Sequence, residues 1–362
     1  MILRLILTSF LLIPLLTAKS YSAEVDHFSL SHIDIQDSTQ LIETEINRLM
    51  VVAVDRANQP IKKVMPKHSS GRFPKRPGCN ETRLYKQLKW QLARPVVGQL
   101  ETFAEESEYI SKRRVPFLKS IYQDFFWQES PSLVLSQRMA AIIKVNSIEI
   151  GTDKLGHFFT EGLSYFDLTN KLTSDINLGL HFGRWTESLY FGAQTTGVYS
   201  YADLAANFNG LRYWNKILAK QPDPLTHNIM TPYVACQDKK WVVVEEFSFQ
   251  PYVDHAWNEQ INCSLYRNQQ LLNKAKRHQL SCLVKKLPTQ KYSELPSLLN
   301  TKGADVLPIE LQPENLAQEK AELEKTSLSE QTTQRIKDIR IALEEWRANA
   351  AKKAALKLNL AN

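Results

Sequence analysis

The chain has 362 residues, with 45 Lys and Arg against 38 Asp and Glu and a formal charge of +7. That length allows one large core or two modest domains. The positive excess is spread along the chain, which excludes a dedicated nucleic-acid binder and makes an anionic envelope surface the better electrostatic partner.

Arg4, an apolar run from Leu5 to Leu16 broken only by Thr8, Ser9 and Pro14, and small residues at Ala18, Ser20, Ser22 and Ala23 predict a signal peptide over residues 1–23. Cleavage would follow Ser20, Ser22 or Ala23. An uncleaved anchor is the alternative, but the run is shorter than the roughly 20 residues that span a bilayer. A periplasmic or secreted protein is therefore expected. In that oxidising setting Cys79, Cys236, Cys263 and Cys282 are expected to form two disulfides, with three connectivities allowed. A zinc site is the sharper alternative, yet no pair has the close spacing of structural zinc motifs.

Apolar positions three and four apart predict a helix over residues 38–57, capped by Asp37 or Ser38 and ended before Pro60. A proline-rich, basic loop follows up to Cys79. Helical patterns return over 81–112, split at Pro95, and then over 116–128 and 131–145, with Pro116 and Pro131 in first turns and Ser130 as a cap.

Residues 151–220 hold the candidate chemistry. With a helix advancing about 100° per residue, His157 falls about 40° and Glu161 about 80° from Asp153, so the three share a stripe opposite Leu155, Phe159, Leu163 and Phe166. Such a stripe is either a solvated face, with Thr152 as N-cap, or the wall of a cleft that holds a divalent metal or passes a proton. A helix from Tyr199 to Lys220 places Asp203 and Asn207 inside its apolar arc, with Asn209, Arg212 and Lys216 on the other side. A buried carboxylate there needs a partner, a metal or a proton, and Tyr199 and Tyr201 are close enough in sequence to supply hydrogen bonds. Glu187 completes the candidate catalytic set Asp153, His157, Glu161, Glu187 and Asp203, although a bridge to Arg184 would also account for it. The candidate metal ligands are His157, Glu161 and Asp203. His181 is placed in a loop before Gly183.

The Asp153–Phe159 segment DKLGHFF resembles the DK-x-x-HF opening of several bacterial envelope families, VanZ-like membrane proteins among them, through Asp153, Lys154, His157 and Phe158. Together with TGVYSYADLAANFNG it is similar to exported proteins of Gram-negative bacteria. The resemblance covers under a fifth of the chain, implies a bacterial envelope address and brings no activity. The multiple membrane spans of the VanZ-like proteins are missing from this sequence.

Past Pro224, TPYVAC, the turn-like QDKK and WVVVEEFSF predict a β-hairpin near 231–249. The polar cluster Asp254, His255, Trp257, Asn258 and Glu259 is expected to be a disulfide-pinned surface loop, with a second site as the alternative. A basic helical pattern covers 264–283. Residues 288–313 read as a linker and 314–362 as an exposed helical tail suited to a partner protein.

The expected fold is mainly α: an irregular helical bundle, residues 24–287, with a small hairpin and disulfide staples. Two functions remain. One is a non-catalytic structural or binding protein of the envelope; the other is a metal-dependent or acid/base hydrolase using the constellation above. The enzyme needs His157, Glu187 and Asp203 in one water-accessible pocket, whereas a scaffold lets them diverge.

Overall fold

A computed structural model describes residues 24–59, 78–93, 99–169, 176–188, 192–278, 291–292 and 307. The chain divides into two units, Met1–Pro308 and Ile309–Asn362, and every described residue belongs to the first. The expected signal peptide, the tail from 314, nearly all of the basic loop and linker, and Cys282 lie outside the described residues.

The first helix, α1 (Thr39–Asn58), buries Ile42, Ile46, Leu49, Met50, Ala53, Val54 and Ala57, the three-and-four spacing read from the sequence. Ser38 makes no side-chain cap; Asp37 Oδ1 instead accepts from Thr39 N at 2.8 Å. Helix α2 (Glu81–Leu92) starts at Asn80, whose side chain accepts from Arg83 N, and α3 (Gln99–Glu106) is the next described helix; Pro95, the expected split, lies outside the described residues.

The next expectations need correction. Instead of a helix over 116–128, the chain makes β1 (Lys112–Arg113), a single 3₁₀ turn (Phe117–Lys119) with Pro116 before it, and further turns. Only Pro131–Ser136 of the span 131–145 is helical (α4), because Gln137 adopts φ 51° and ends it. The β-branched run that follows forms β2 (Ile142–Val145), paired antiparallel with β3 (Ile148–Gly151). Asn146 and Ser147 between them have φ 54° and 63°, the paired positive values of a tight hairpin turn. β1 completes a three-stranded sheet by pairing with β2.

From β3 the chain enters α5 (Asp153–Gly156), runs through a π segment (His157–Glu161) and continues as α6 (Gly162–Leu168). Helix α7 (Ile176–Thr186) contains His181, so that residue is in a helix and not in a loop. After β4 (Val198–Tyr199) comes α8 (Tyr201–Lys216), buried from Tyr201 through Asn215. The expected hairpin is present as β5 (Val234–Gln237) and β6 (Lys240–Val243), turned at Asp238 and Lys239 with φ 48° and 63°. Strand β7 (Leu265–Tyr266) pairs with β4, and α9 (Gln269–Lys276) closes the described fold. The protein is thus helical with small antiparallel sheets, richer in strand than the sequence suggested.

Cys79 is bridged to Cys236, tying the start of α2 to the hairpin, and Cys263 is also disulfide-bonded. Helices α6 and α8 meet backbone to backbone. A Cβ on Gly162 would stand 2.5 Å from Gly210 Cα, and one on Gly210 would stand 2.0 Å from Phe158 O, so both positions require glycine. Around this crossing Phe158, Phe159, Tyr213, Phe247, Tyr252 and Trp257 interlock at ring distances of 4.8 to 6.2 Å where they meet Phe158 or Phe159. Edge-to-face aromatic packing of this kind fixes where α5 and the π segment sit over α8.

Candidate functional site

Five chain segments deliver ionisable side chains to one place. Lys154, on α5, has no exposed surface, and its Nζ lies 2.8 Å from Asp153 Oδ2, 2.6 Å from Asp203 Oδ1 and 2.8 Å from Glu259 Oε1. The contacts to Asp153 and Glu259 are hydrogen bonds, and that to Asp203 is an ion pair. Asp203 Oδ2 then faces His157 Nε2 at 3.1 Å. Glu259 also accepts from Ser200 Oγ at 3.0 Å, and Glu187 accepts from Ser200 N at 3.0 Å. Ser200 is the N-cap of α8, its Oγ accepting from Asp203 N at 3.2 Å, so one residue both starts the helix and fastens two carboxyls.

Residues upstream of α1 take part. Glu24 Oε1 accepts from Thr196 Oγ1 at 2.5 Å, and Asp26 accepts from Phe28 N, Ser29 N and Ile121 N. His27 is fully buried; burial and the nearby cations Lys154 and Arg113 hold it neutral, well below its ordinary pKa.

His157 is the cluster's contact with solvent, its side chain 12% exposed against 4% or less for Asp153, Lys154, Asp203 and Glu259. Its Nδ1 lies 3.1 Å from Asn207 Oδ1, and the Asn207 amide nitrogen donates to Tyr165 Oη at 3.2 Å. Rotated by half a turn, the same amide donates to Nδ1 and accepts from Tyr165, so Asn207 serves either protonation state of the ring. The π segment sets this geometry. Gly162 N donates to His157 O, five residues back, and Phe159 O accepts from Trp214 Nε1 at 2.9 Å.

Charges are unequal at this site. Burial opposes ionisation of His157, but Asp203 outweighs it and lifts the imidazole to about 10. Burial likewise opposes the Asp203 carboxylate, and His157 and Lys154 overcome it and hold the group below its ordinary range. Lys154 stays charged because its carboxylates outweigh its burial. The other carboxyls move the opposite way. Burial, then repulsion from Asp203, lifts Glu187 to about 8. Burial lifts Glu259 to about 7 against the pull of Lys154, and burial with the charges of Glu259 and Asp203 lifts Glu24 well above its ordinary value. Asp153 is raised by burial as well. Two cations cannot neutralise five buried carboxylates, so some carboxyls remain protonated.

Of the predicted residues, Asp153, His157, Glu187, Asp203 and Asn207 converge. Asp153 is 3% exposed and is no part of a solvated face. Thr152 does not cap its helix; its hydroxyl donates to Glu105. Glu161 acts on His157 through charge and is itself pushed up by burial. It stands apart from the close group Asp153, His157 and Asp203, whose ligand atoms lie within 4.8 Å of one another and could hold a metal ion. Tyr199 and Tyr201 pack edge to face, and Tyr165 takes the bonding role foreseen for them. Asn209 and Arg212 are buried too, Arg212 against Asp223.

Sequence reasoning missed Lys154 and Glu24, and placed Glu259 in a separate polar cluster. Glu259 follows the 3₁₀ turn His255–Trp257 and is 1% exposed, so the segment read as a surface loop belongs to this site. Convergence was the mark of an enzyme, and these residues do converge, though in a nearly closed interior. No protein-family model, curated protein or solved structure matches this chain.

Proposed function

We propose that this is a non-catalytic structural or binding protein of the bacterial envelope, exported by its N-terminal segment, in which the Lys154 cluster locks together the N-terminal segment, α5, α8 and the turn at Glu259. One observation carries the reading: both ring nitrogens of His157 and the ammonium of Lys154 are already engaged by protein groups. A general acid or base has to turn a proton site toward its substrate, and these turn theirs inward. The Cys79–Cys236 bridge supports an exported chain in an oxidising compartment. The DK-x-x-HF resemblance supports the envelope address.

Lys154→Met tests the lock. It removes the cation and leaves buried carboxylates uncompensated, which should cost about 3–5 kcal/mol in urea unfolding. A variant as stable as the parent would refute the lock.

The proximity of Asp153, His157 and Asp203 favours a second reading, a divalent metal centre of hydrolase type. The Lys154 ammonium occupies the position between the two aspartates that such an ion would take, so metal and ammonium would compete. Zinc titration followed by thermal unfolding separates the readings. Stabilisation lost in Asp153→Asn would favour the metal, and no stabilisation would favour the lock.

A further inference from the structure

Between Arg114 and Met139 the chain alternates anchors and outliers. Phe117, Tyr122, Phe125 and Leu133 sit in one hydrophobic cluster with Leu271, Leu272 and Ala275 of α9. Their neighbours Leu118, Phe126, Trp127 and Leu135 are 68%, 61%, 57% and 70% exposed. Four large apolar side chains outside a single cluster exceed what scattered surface leucines explain.

The surrounding charge is one-sided. Residues 114–139 and 269–278 carry six Lys and Arg and two carboxylates, and Arg114 pairs with Glu105 outside them. Both carboxylates are neutralised: Asp124 by Arg277 and His278 at 2.8 and 3.0 Å, Glu129 by Lys274 at 2.5 Å. Lys274 Nζ also lies 3.9 Å from the Phe126 ring centre, which joins the apolar residues to the basic end of α9. Lys119, Arg138, Lys276 and Arg277, the last paired with Asp124, are exposed in the same two segments.

We infer that this face seats on an anionic lipid surface, with Leu118, Phe126, Trp127 and Leu135 entering the headgroup boundary and the basic rim meeting lipid phosphates. Tryptophan and phenylalanine beside snorkelling cations suit that boundary, where one end of the side chain is apolar and the other wet. The assignment stands independently of the Lys154 lock. A lipid surface fits better than a protein groove because the apolar residues come from a 3₁₀ turn, a loop and a short helix, and exposed cations share their segments with two carboxylates that are both paired.

Sedimentation of the full chain with vesicles of phosphatidylcholine, alone or mixed with phosphatidylglycerol, tests this, with hydrogen exchange to locate the contact. Residues 1–23 are common to every variant, so their own partition cancels in the comparison. We expect the anionic vesicles to bind more protein, to lose the excess as salt rises, and to protect residues 117–136. Phe126→Ser/Trp127→Ser should abolish that protection, and Ile229→Ser, at a site 91% exposed elsewhere, should not. Lys119→Gln and Lys276→Gln leave the apolar residues intact and should each weaken anionic binding about fivefold. Equal binding by the Phe126/Trp127 variant and the parent, or protection confined to other residues, would overturn the proposal. So would a dimer that this variant dissociates while vesicle binding is unchanged, because the face would then belong to a second copy.

Discussion

Two buried cations stand on or beside α8 and solve the same problem differently. Arg212 meets one carboxylate, Nε to Asp223 Oδ1 at 3.0 Å and Nη2 to Asp223 Oδ2 at 2.8 Å, and gives its remaining donors to Asn209 Oδ1 and Pro251 O. Charge there is matched one to one, and the planar fork leaves little unsatisfied. Lys154 meets three carboxyls, with Glu187 and Glu24 beyond them, and shares the load with His157. The first site is a closed pair. The second is a cluster whose balance depends on protons.

The largest expected contrast comes from removing partners in turn. Arg212→Met should cost about 3–5 kcal/mol, and Asp223→Leu added to it should recover most of the loss, because no charge is then left buried. Lys154→Met should recover only a fraction when Asp203→Asn is added, since Asp153 and Glu259 remain. Urea midpoints of the single and double variants measure both cycles. Equal recovery at the two sites would erase the distinction.

Next in size is pH. Glu187 is raised from an ordinary 4.5 to about 8, Glu259 from 4.5 to about 7 and His157 from 6.5 to about 10. Each holds a proton in the fold that the unfolded chain has released, so their stabilisation is complete below the ordinary values and is lost as pH climbs through the raised ones. Asp223 is shifted down, so the Arg212 site loses stability only in acid. Stability should therefore fall between about pH 5 and pH 10, and Glu187→Gln/Glu259→Gln should flatten that slope below about pH 8. Unfolding midpoints across the range read it directly.

Arg212→Lys should cost about 1–2 kcal/mol through loss of the bidentate geometry, visible as a lower melting temperature. Smallest of all, Glu81→Gln breaks the exposed pair with Lys220, whose side chains are 47% and 60% exposed, and should change stability by less than about 1 kcal/mol.

The difference between the two sites also marks what the sequence could disclose. Helix α1, the hairpin at Asp238 and Lys239, and the inward face of α8 were legible because local periodicity and turn chemistry determine them. Asp153, His157, Glu187 and Asp203 were named as candidates for the same reason. Lys154 was passed over because a lysine on a helix is ordinarily solvated, although it stood inside the quoted DK-x-x-HF segment. An excess of inward carboxylates was the available sign that a buried cation was required. Glu259 stood in a polar cluster of its own, and nothing local joined it to this site, since only the tertiary fold brings it across 105 residues to Lys154. A uniform 100° advance could not reveal the π segment at His157–Glu161. The strands at 142–151 were hidden by Pro131, which announced a helix that Gln137 ends after six residues.

The Lys154 cluster has a consequence for time as well as for stability. An ammonium cannot shed its water until its counter-charges arrive, and here they come from positions 153, 203 and 259. Contacts that span so much chain form late, after the loops between them have closed. The cluster would then be absent from the folding transition state and would act chiefly on the rate of opening, as a latch that sets how long the native molecule persists.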